Sequence, residues 1–172
     1  MGDYSKLKLA LSIPTALDEM VLTAATTADL PNLRHWKNEH RGFFFYREEI
    51  TAKQQEAWFH AYQTRPEDYM FIVIVSELPI GCMGIRYLEN GWDVYNVILG
   101  ETGYGKKGLM SEAFQAMLRF ALQQRQCPIT LKVLKNNPAV NWYCKQGFGI
   151  TSTEQDYFLM SFQTGNAPEE SQ

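Results

Sequence analysis

Apolar and polar positions divide the chain into a regular succession of elements. Residues 69–76 (YMFIVIVS) form a continuous apolar run, which predicts a buried strand. Residues 78–89 and 92–99 (WDVYNVIL) follow it across a proline-containing turn and a Glu-Asn-Gly turn, and both read as strands. Residues 20–26 (MVLTAAT) are rich in strand formers and predict a first strand. Elsewhere the period is helical. Leu30, Leu33 and Trp36 follow candidate caps at Thr27 or Asp29, and Trp58, Phe59 and Tyr62 follow a candidate N-cap at Thr51. From 107 to 124, Leu109, Ala113, Met117 and Leu118 fall on one side, joined by Phe114, Ala121 and Leu122.

Residues 128–134 alternate as a strand does. Residues 138–146 begin at Pro138 and end before Gly147, as a short helix would. Two strands, 148–154 and 157–162, close the series. The order is β-α-α-β-β-β-α-β-α-β-β. It predicts one mixed α/β domain over 19–163, with a crossover helix between strands 92–99 and 128–134. Residues 1–18 read as an N-terminal extension. Residues 164–172, which have no large apolar side chain, read as a flexible tail.

Composition narrows the function classes. The 172 residues are 45% hydrophobic and 20% charged, ordinary for a globular domain. A net charge of −3 and a pI near 5.6 argue against a broad nucleic-acid surface. No apolar run approaches the ~18 residues of a membrane span, and the N-terminal apolar patch is broken by Pro14. Cys82, Cys127 and Cys144 match no zinc spacing, and His35, His40 and His60 form no ligand set. The expectation is a cytoplasmic protein with reduced thiols, no metal, no membrane partner and no nucleic-acid partner, as a monomer or homodimer.

Candidate chemistry concentrates at residues 100–114 (GETGYGKKGLMSEAF), between a strand and a helix. A helix start presents unpaired N–H groups and about half a positive charge, and glycines let an anion approach them. Lys106 and Lys107 add charge there. Two readings are open for this stretch alone, a phosphate cradle or a turn with solvated lysines. Gly103, Gly105 and Gly108 spell GxGxxG, but no acidic residue lies between Glu112 and Glu154 to hold a ribose. Gly100, Gly105 and Lys106 nearly spell a P-loop, but Lys107 stands where Ser or Thr would hold magnesium.

Residues 136–148 (NNPAVNWYCKQGF) supply a second constellation: Asn136, Ala139, Tyr143, Gly147 and Phe148, with Lys145. Together with GYGKKGLMSEA, this resembles the GNAT superfamily of acyl-CoA-dependent N-acetyltransferases over roughly residues 20–162. The LRHWKNEH opening is also similar to that of many such enzymes. The first motif departs from the family pattern. Gly105 replaces a Gln or Arg, and Met110 replaces a small residue.

The resemblance implies a GNAT-type mixed sheet that splays between the fourth and fifth predicted strands. It implies acetyl-CoA as co-substrate, with the pyrophosphate on Tyr104, Gly105, Lys106, Lys107, Gly108, Leu109 and Met110. The pantetheine arm is expected along Val97, Ile98 and Leu99, with Asn136, Ala139 and Tyr143 nearby. Tyr143 would protonate the leaving thiolate. The acceptor would be a primary amine of a small molecule, such as an amino sugar or amino acid. Its pKa of ~10 means that a proton must leave before attack. Asp93 is the first candidate base, ahead of Glu101, Glu48 and Glu49. Cys144 beside Tyr143 suggests a covalent route, but direct transfer needs no such thiol.

Residues 34–66 should form the acceptor side. Phe43, Phe44, Phe45 and Tyr46 cannot all face one core, so at least one should line a pocket or interface. Alternatives are acetylation of a protein or peptide N-terminus, a non-catalytic acyl-CoA-binding module, and a nucleotide-binding protein.

Overall fold

A computed structural model of the chain describes residues 4, 6, 8 and 10–164. Among them are eight strands in one sheet: β1 (Ser12–Pro14), β2 (Met20–Ala24), β3 (Asp68–Val75), β4 (Leu78–Leu88), β5 (Gly91–Leu99), β6 (Ile129–Leu134), β7 (Phe148–Thr153) and β8 (Tyr157–Phe162). The α-helices that lie wholly within the described residues are α1 (Leu30–Glu39), α2 (Ala52–Gln63), α3 (Leu109–Gln124) and α4 (Ala139–Lys145). The sheet order is β1-β2-β3-β4-β5-β6-β8-β7. Only the β5–β6 pair is parallel, joined by the α3 crossover.

The element order from β2 onward is the one that the hydrophobic pattern predicts. The three-residue strand β1 lies inside the expected N-terminal extension. It pairs antiparallel with β2 at the sheet edge, where Pro14 leaves no central ladder without a donor. The expected flexible tail falls almost wholly on 165–172, outside the described residues.

The apolar run of β3 is buried because both faces of the sheet are covered. Phe71, Val73 and Val75 belong to the core beneath α3, with Ala113, Phe114, Met117 and Ala121. Met70 and Ile72 belong to a second core beneath α1 and α2, with Leu33, Trp36, Phe59 and Tyr62. Strand periodicity sends alternate residues to opposite cores, so no polar side remains to be read from the sequence. Thr51 caps α2: its side chain accepts from the Gln54 amide at 3.2 Å, and Gln54 Oε1 accepts from the Thr51 amide at 2.9 Å.

Strand β5 is irregular where it matters most. Its pairing with β4 shifts between Cys82 and Gly84, so Asn96 and Val97 together oppose Met83. Asn96 takes a left-handed φ of 48°, which Asn tolerates better than most side chains. Such a bulge bends and twists its strand. Pairing of β5 with β6 covers only Trp92 to Val94, so the two strands part before Val97.

Gly100 anchors the far end of β5. A Cβ there would meet the Trp36 ring at 2.2 Å, so the strand end and α1 approach only because no side chain intervenes. Gly100→Ala should therefore overpack this junction. We expect a loss of about 1–3 kcal/mol, read as a lower urea midpoint at unchanged m-value. An unchanged midpoint would show that the contact is slack.

Candidate active site

The parting of β5 from β6 opens a cleft with a cavity on each side. The first, of about 530 Å³, is lined by Val97, Leu99, Tyr104, Gly105, Lys106, Gly108, Leu109, Met110, Ser111, Ala139, Trp142 and Lys145. The second, of about 340 Å³, includes Asp93, Val94, Tyr95, Asn96 and Val97 of β5, Leu131 to Leu134 of β6, and Tyr143. Val97 lines both.

The first cavity ends at the start of α3. Lys106 and Gly108 take left-handed φ values of 60° and 74°. A loop with such residues turns successive N–H groups to one concave side. Among the described residues, none of the amides from Lys106 to Ser111 donates to a protein acceptor. These donors at a sixteen-residue helix start can receive a polyanion such as a diphosphate. A Cβ on Gly108 or Gly103 would meet nothing within 4 Å, so the loop leaves room beside its backbone. Lys106 lines the cavity. Lys107 does not; its ammonium lies over the Tyr104 ring, 5.5 Å from the centroid.

Helix α4 is fixed to this loop. Ser111 Oγ accepts from Trp142 Nε1 and from Gln146 Nε2, each at 3.0 Å. Gln115 Nε2 donates to the Gln146 carbonyl at 3.1 Å. Tyr143 is thereby held with its ring against Phe114 and Phe148 and is 7% exposed. It lines the second cavity, and its hydroxyl is not among sealed, unpartnered atoms. Burial pushes its phenol well above the ordinary value near 10, so it stays protonated and able to donate.

Asp93 lines the same cavity as Tyr143. Burial raises its carboxyl above the usual range, opposed by Arg86, whose Nε donates to Oδ2 at 3.0 Å. Of the four carboxylates weighed as bases, Asp93 alone lines either side of the cleft. Glu101 instead accepts from Trp36 Nε1 at 3.4 Å.

The structure brings Val97, Leu99, Tyr104, Gly105, Lys106, Gly108, Leu109, Met110 and Ala139 to the first cavity, and Asp93 and Tyr143 to the second. Ile98 points the other way, into the core under α1 and α2. Asn136 lies outside both linings, and its Nδ2 donates to the Gly42 carbonyl at 3.2 Å. Asn137 Nδ2 donates likewise to the Phe43 carbonyl at 3.4 Å. These bonds tie the 41–46 segment to the β6 side of the split, and Phe45 meets Tyr157 of β8 edge-on at 5.3 Å. All four consecutive aromatics, Phe43 to Tyr46, line the second cavity.

Sequence reasoning passed over Ser111, Trp142 and Asn96 as working residues. Asn96 did leave a signal, a lone polar residue late in an apolar strand. The Ser111–Trp142 bond left none, because it joins positions 31 apart.

Known proteins resemble this chain in family pattern and in fold. The family model described as an acetyltransferase (GNAT) domain matches residues 19–147. No curated protein sequence matches the chain. Among solved structures, spermidine N-acetyltransferase from Vibrio cholerae, in complex with CoA and spermine, is similar at 18% identity and TM-score 0.72, over 85% of this chain and 96% of that one. FdhC, described as a nucleotide-linked sugar GNAT, is similar at 19% identity and TM-score 0.73, over 88% and 89%. The acetyltransferase that modifies the N-terminal serine of ribosomal protein L7/L12 in Salmonella typhimurium is similar at 14% identity and TM-score 0.70, over 88% and 96%. Identities this low speak for a shared fold, not for a shared acceptor.

The three free thiols differ sharply in environment. Cys82 is 1% exposed, and burial pushes its thiol up to about 12, whereas Cys144 is exposed and Cys127 intermediate. Iodoacetamide at neutral pH should label Cys144 first and spare Cys82 until the chain unfolds. Mass spectrometry of digested protein reads this out; early labelling of Cys82 would contradict its burial.

Proposed function

Because the chain belongs to the GNAT acetyltransferase family of acetyl-CoA-dependent N-acyltransferases, we propose that it moves the acetyl group directly onto a primary amine of a small molecule. The observation that carries this reading is the split between β5 and β6. Two cavities adjoin there at Val97: the amide-rich loop lines one, and Tyr143 and Asp93 line the other.

Acetyl-CoA supplies an activated acyl thioester. In the reading proposed here, the amides of Lys106 to Ser111 and the Lys106 ammonium hold its diphosphate. The backbone beyond Val94, which has no β6 partner, offers ladder groups to the amide-bearing arm. Val97 and Leu99 supply apolar wall on one side, and Ala139 and Trp142 on the other. Holding both reactants in one cleft supplies much of the rate by orientation alone.

Three proton movements remain. The acceptor arrives largely as an ammonium and must lose a proton before its lone pair can attack. Asp93 is placed to accept that proton, directly or through water, and burial makes it more basic than an ordinary aspartate. The sulfur leaves with the bonding electron pair of the broken C–S bond, and Tyr143 delivers a proton to it. As the new C–N bond becomes an amide, the nitrogen sheds its second proton, which returns to the tyrosinate directly or through water.

The 41–46 segment favours a small acceptor. Its bonds to Asn136 and Asn137 and its Phe45–Tyr157 contact hold it to the β6–β8 side. Phe44 meets Lys37, which bonds Asn96 of β5, and the four aromatics line the second cavity, leaving a compact space for the acceptor.

Tyr143→Phe separates catalysis from mere binding. The substitution keeps the ring packed on Phe114 and removes only the proton donor. We expect kcat to fall about 10–100-fold while CoA affinity by calorimetry stays within about threefold. An unchanged kcat would remove Tyr143 from the mechanism. CoA binding without thiol release from either form, across amino sugars, amino acids, polyamines and peptides, would mark a binding module.

A further inference from the structure

Beside the cleft lies a third cavity, of about 420 Å³, lined by residues that include Leu33, Ile50, Gln55, Met70, Cys82 and Ile98. It shares Lys37, Tyr46, Trp58 and Asn96 with the cavity that holds Asp93 and Tyr143. The two therefore adjoin across these four side chains, and we read them together as one trench, from the β5–β6 split to a pocket between α1, α2 and the sheet. The deep part is largely apolar and carries amide side chains, one thiol and a single charged group, Lys37.

The charges along this trench are unbalanced. Lys37, Arg86 and Lys132 line it, against one carboxylate, Asp93. Asp93 is already engaged by Arg86 at 3.0 Å. Lys37 has no carboxylate within ion-pair distance among the described residues. Its ammonium donates to Asn96 Oδ1 at the β5 bulge and lies over the Phe44 ring, 3.4 Å from the centroid. A neutral amide and a ring face compensate a partly buried cation only in part. Burial accordingly lowers its pKa to about 8, which leaves it mostly charged at neutral pH. An anion in the trench would supply the missing counter-charge. A polycationic acceptor would meet the same wall with repulsion and find no free carboxylate to bind.

Building on the acetyltransferase reading, we propose that the acceptor is an amine whose body carries an anionic group, a carboxylate or a phosphate, on an apolar or ring-shaped frame, with Lys37 as the partner of that anion. The frame packs on Trp58, Tyr46 and Phe44, and the amine points toward Asp93 and the split. Lys37 sits at the junction of the two cavities, so it sets both which acceptor enters and how far it extends.

Matched acceptors test this with the full-length protein. One pair is 4-(2-aminoethyl)benzoate and its carboxamide; the other is glucosamine 6-phosphate and glucosamine; spermidine serves as the polycation. Each is assayed for thiol release with acetyl-CoA and for binding in the presence of CoA by thermal shift. The anionic member of at least one pair should exceed its neutral partner at least 10-fold in kcat/KM or in affinity, and the pair that responds identifies carboxylate or phosphate. Lys37→Gln should reduce that preference to under threefold, and Lys37→Glu should reverse it. Melting curves check that each variant folds, and the wild-type comparison stands if one does not. Equal or better use of the neutral members or spermidine, or a preference that survives Lys37→Gln, would overturn the proposal. Failure to bind CoA at all would instead sink the acetyltransferase reading on which it rests.

Discussion

The structure depends on one interrupted hydrogen-bond ladder. Strand β5 pairs with β4 along its length but with β6 only from Trp92 to Val94. Unpaired backbone in the middle of a sheet is costly unless something else pairs with it. Here the bulge at Asn96 and Val97 turns β5 away, and the two cores on opposite faces of the sheet hold the displaced strand in place. Gly100 packed on Trp36 fixes where that strand ends, and hence where the glycine-lysine loop begins. A slot with free peptide groups on its wall is a natural receptor for an extended, amide-bearing arm.

The rest of the site is arranged around that slot. The loop ahead of α3 contributes amides without partners, and Ser111 ties the first turn of α3 to α4. That tie couples two distant motifs: the loop that would hold the diphosphate and the helix that carries Tyr143. Burial then shifts Tyr143 and Asp93 in the same direction for the same reason, disfavouring their charged forms. The consequences differ. The phenol becomes a retained proton donor, whereas the carboxylate becomes a better proton acceptor, with Arg86 keeping its shift in check.

Much of this was legible in the chain because it rests on local pattern. The run 69–76, the helical spacing of Leu109 to Met117 and the caps at Thr51 and Gly147 are short-range signals, and the elements followed them. The paired motifs around Gly108 and Tyr143 pointed to the cleft for a similar reason. What the chain did not display are relations between distant positions. The Ser111–Trp142 bond, the placement of Lys37 over Phe44, and the reach of Asn136 to Gly42 join residues brought together only by the sheet. Edge strand β1 escaped notice because three residues around a proline carry no period. The aromatic run 43–46 announced that it could not face a single core, but only the packed structure shows all four residues lining one cavity beside the split.

Hydrogen exchange with and without CoA tests the central claim most directly. If the parted strands and the α3 loop receive the acyl donor, amides in residues 95–99 and 106–111 should slow markedly on addition of CoA, with little change in β2, β3 or β7. Exchange that is unaltered in both segments, or protection confined to another part of the sheet, would contradict the account.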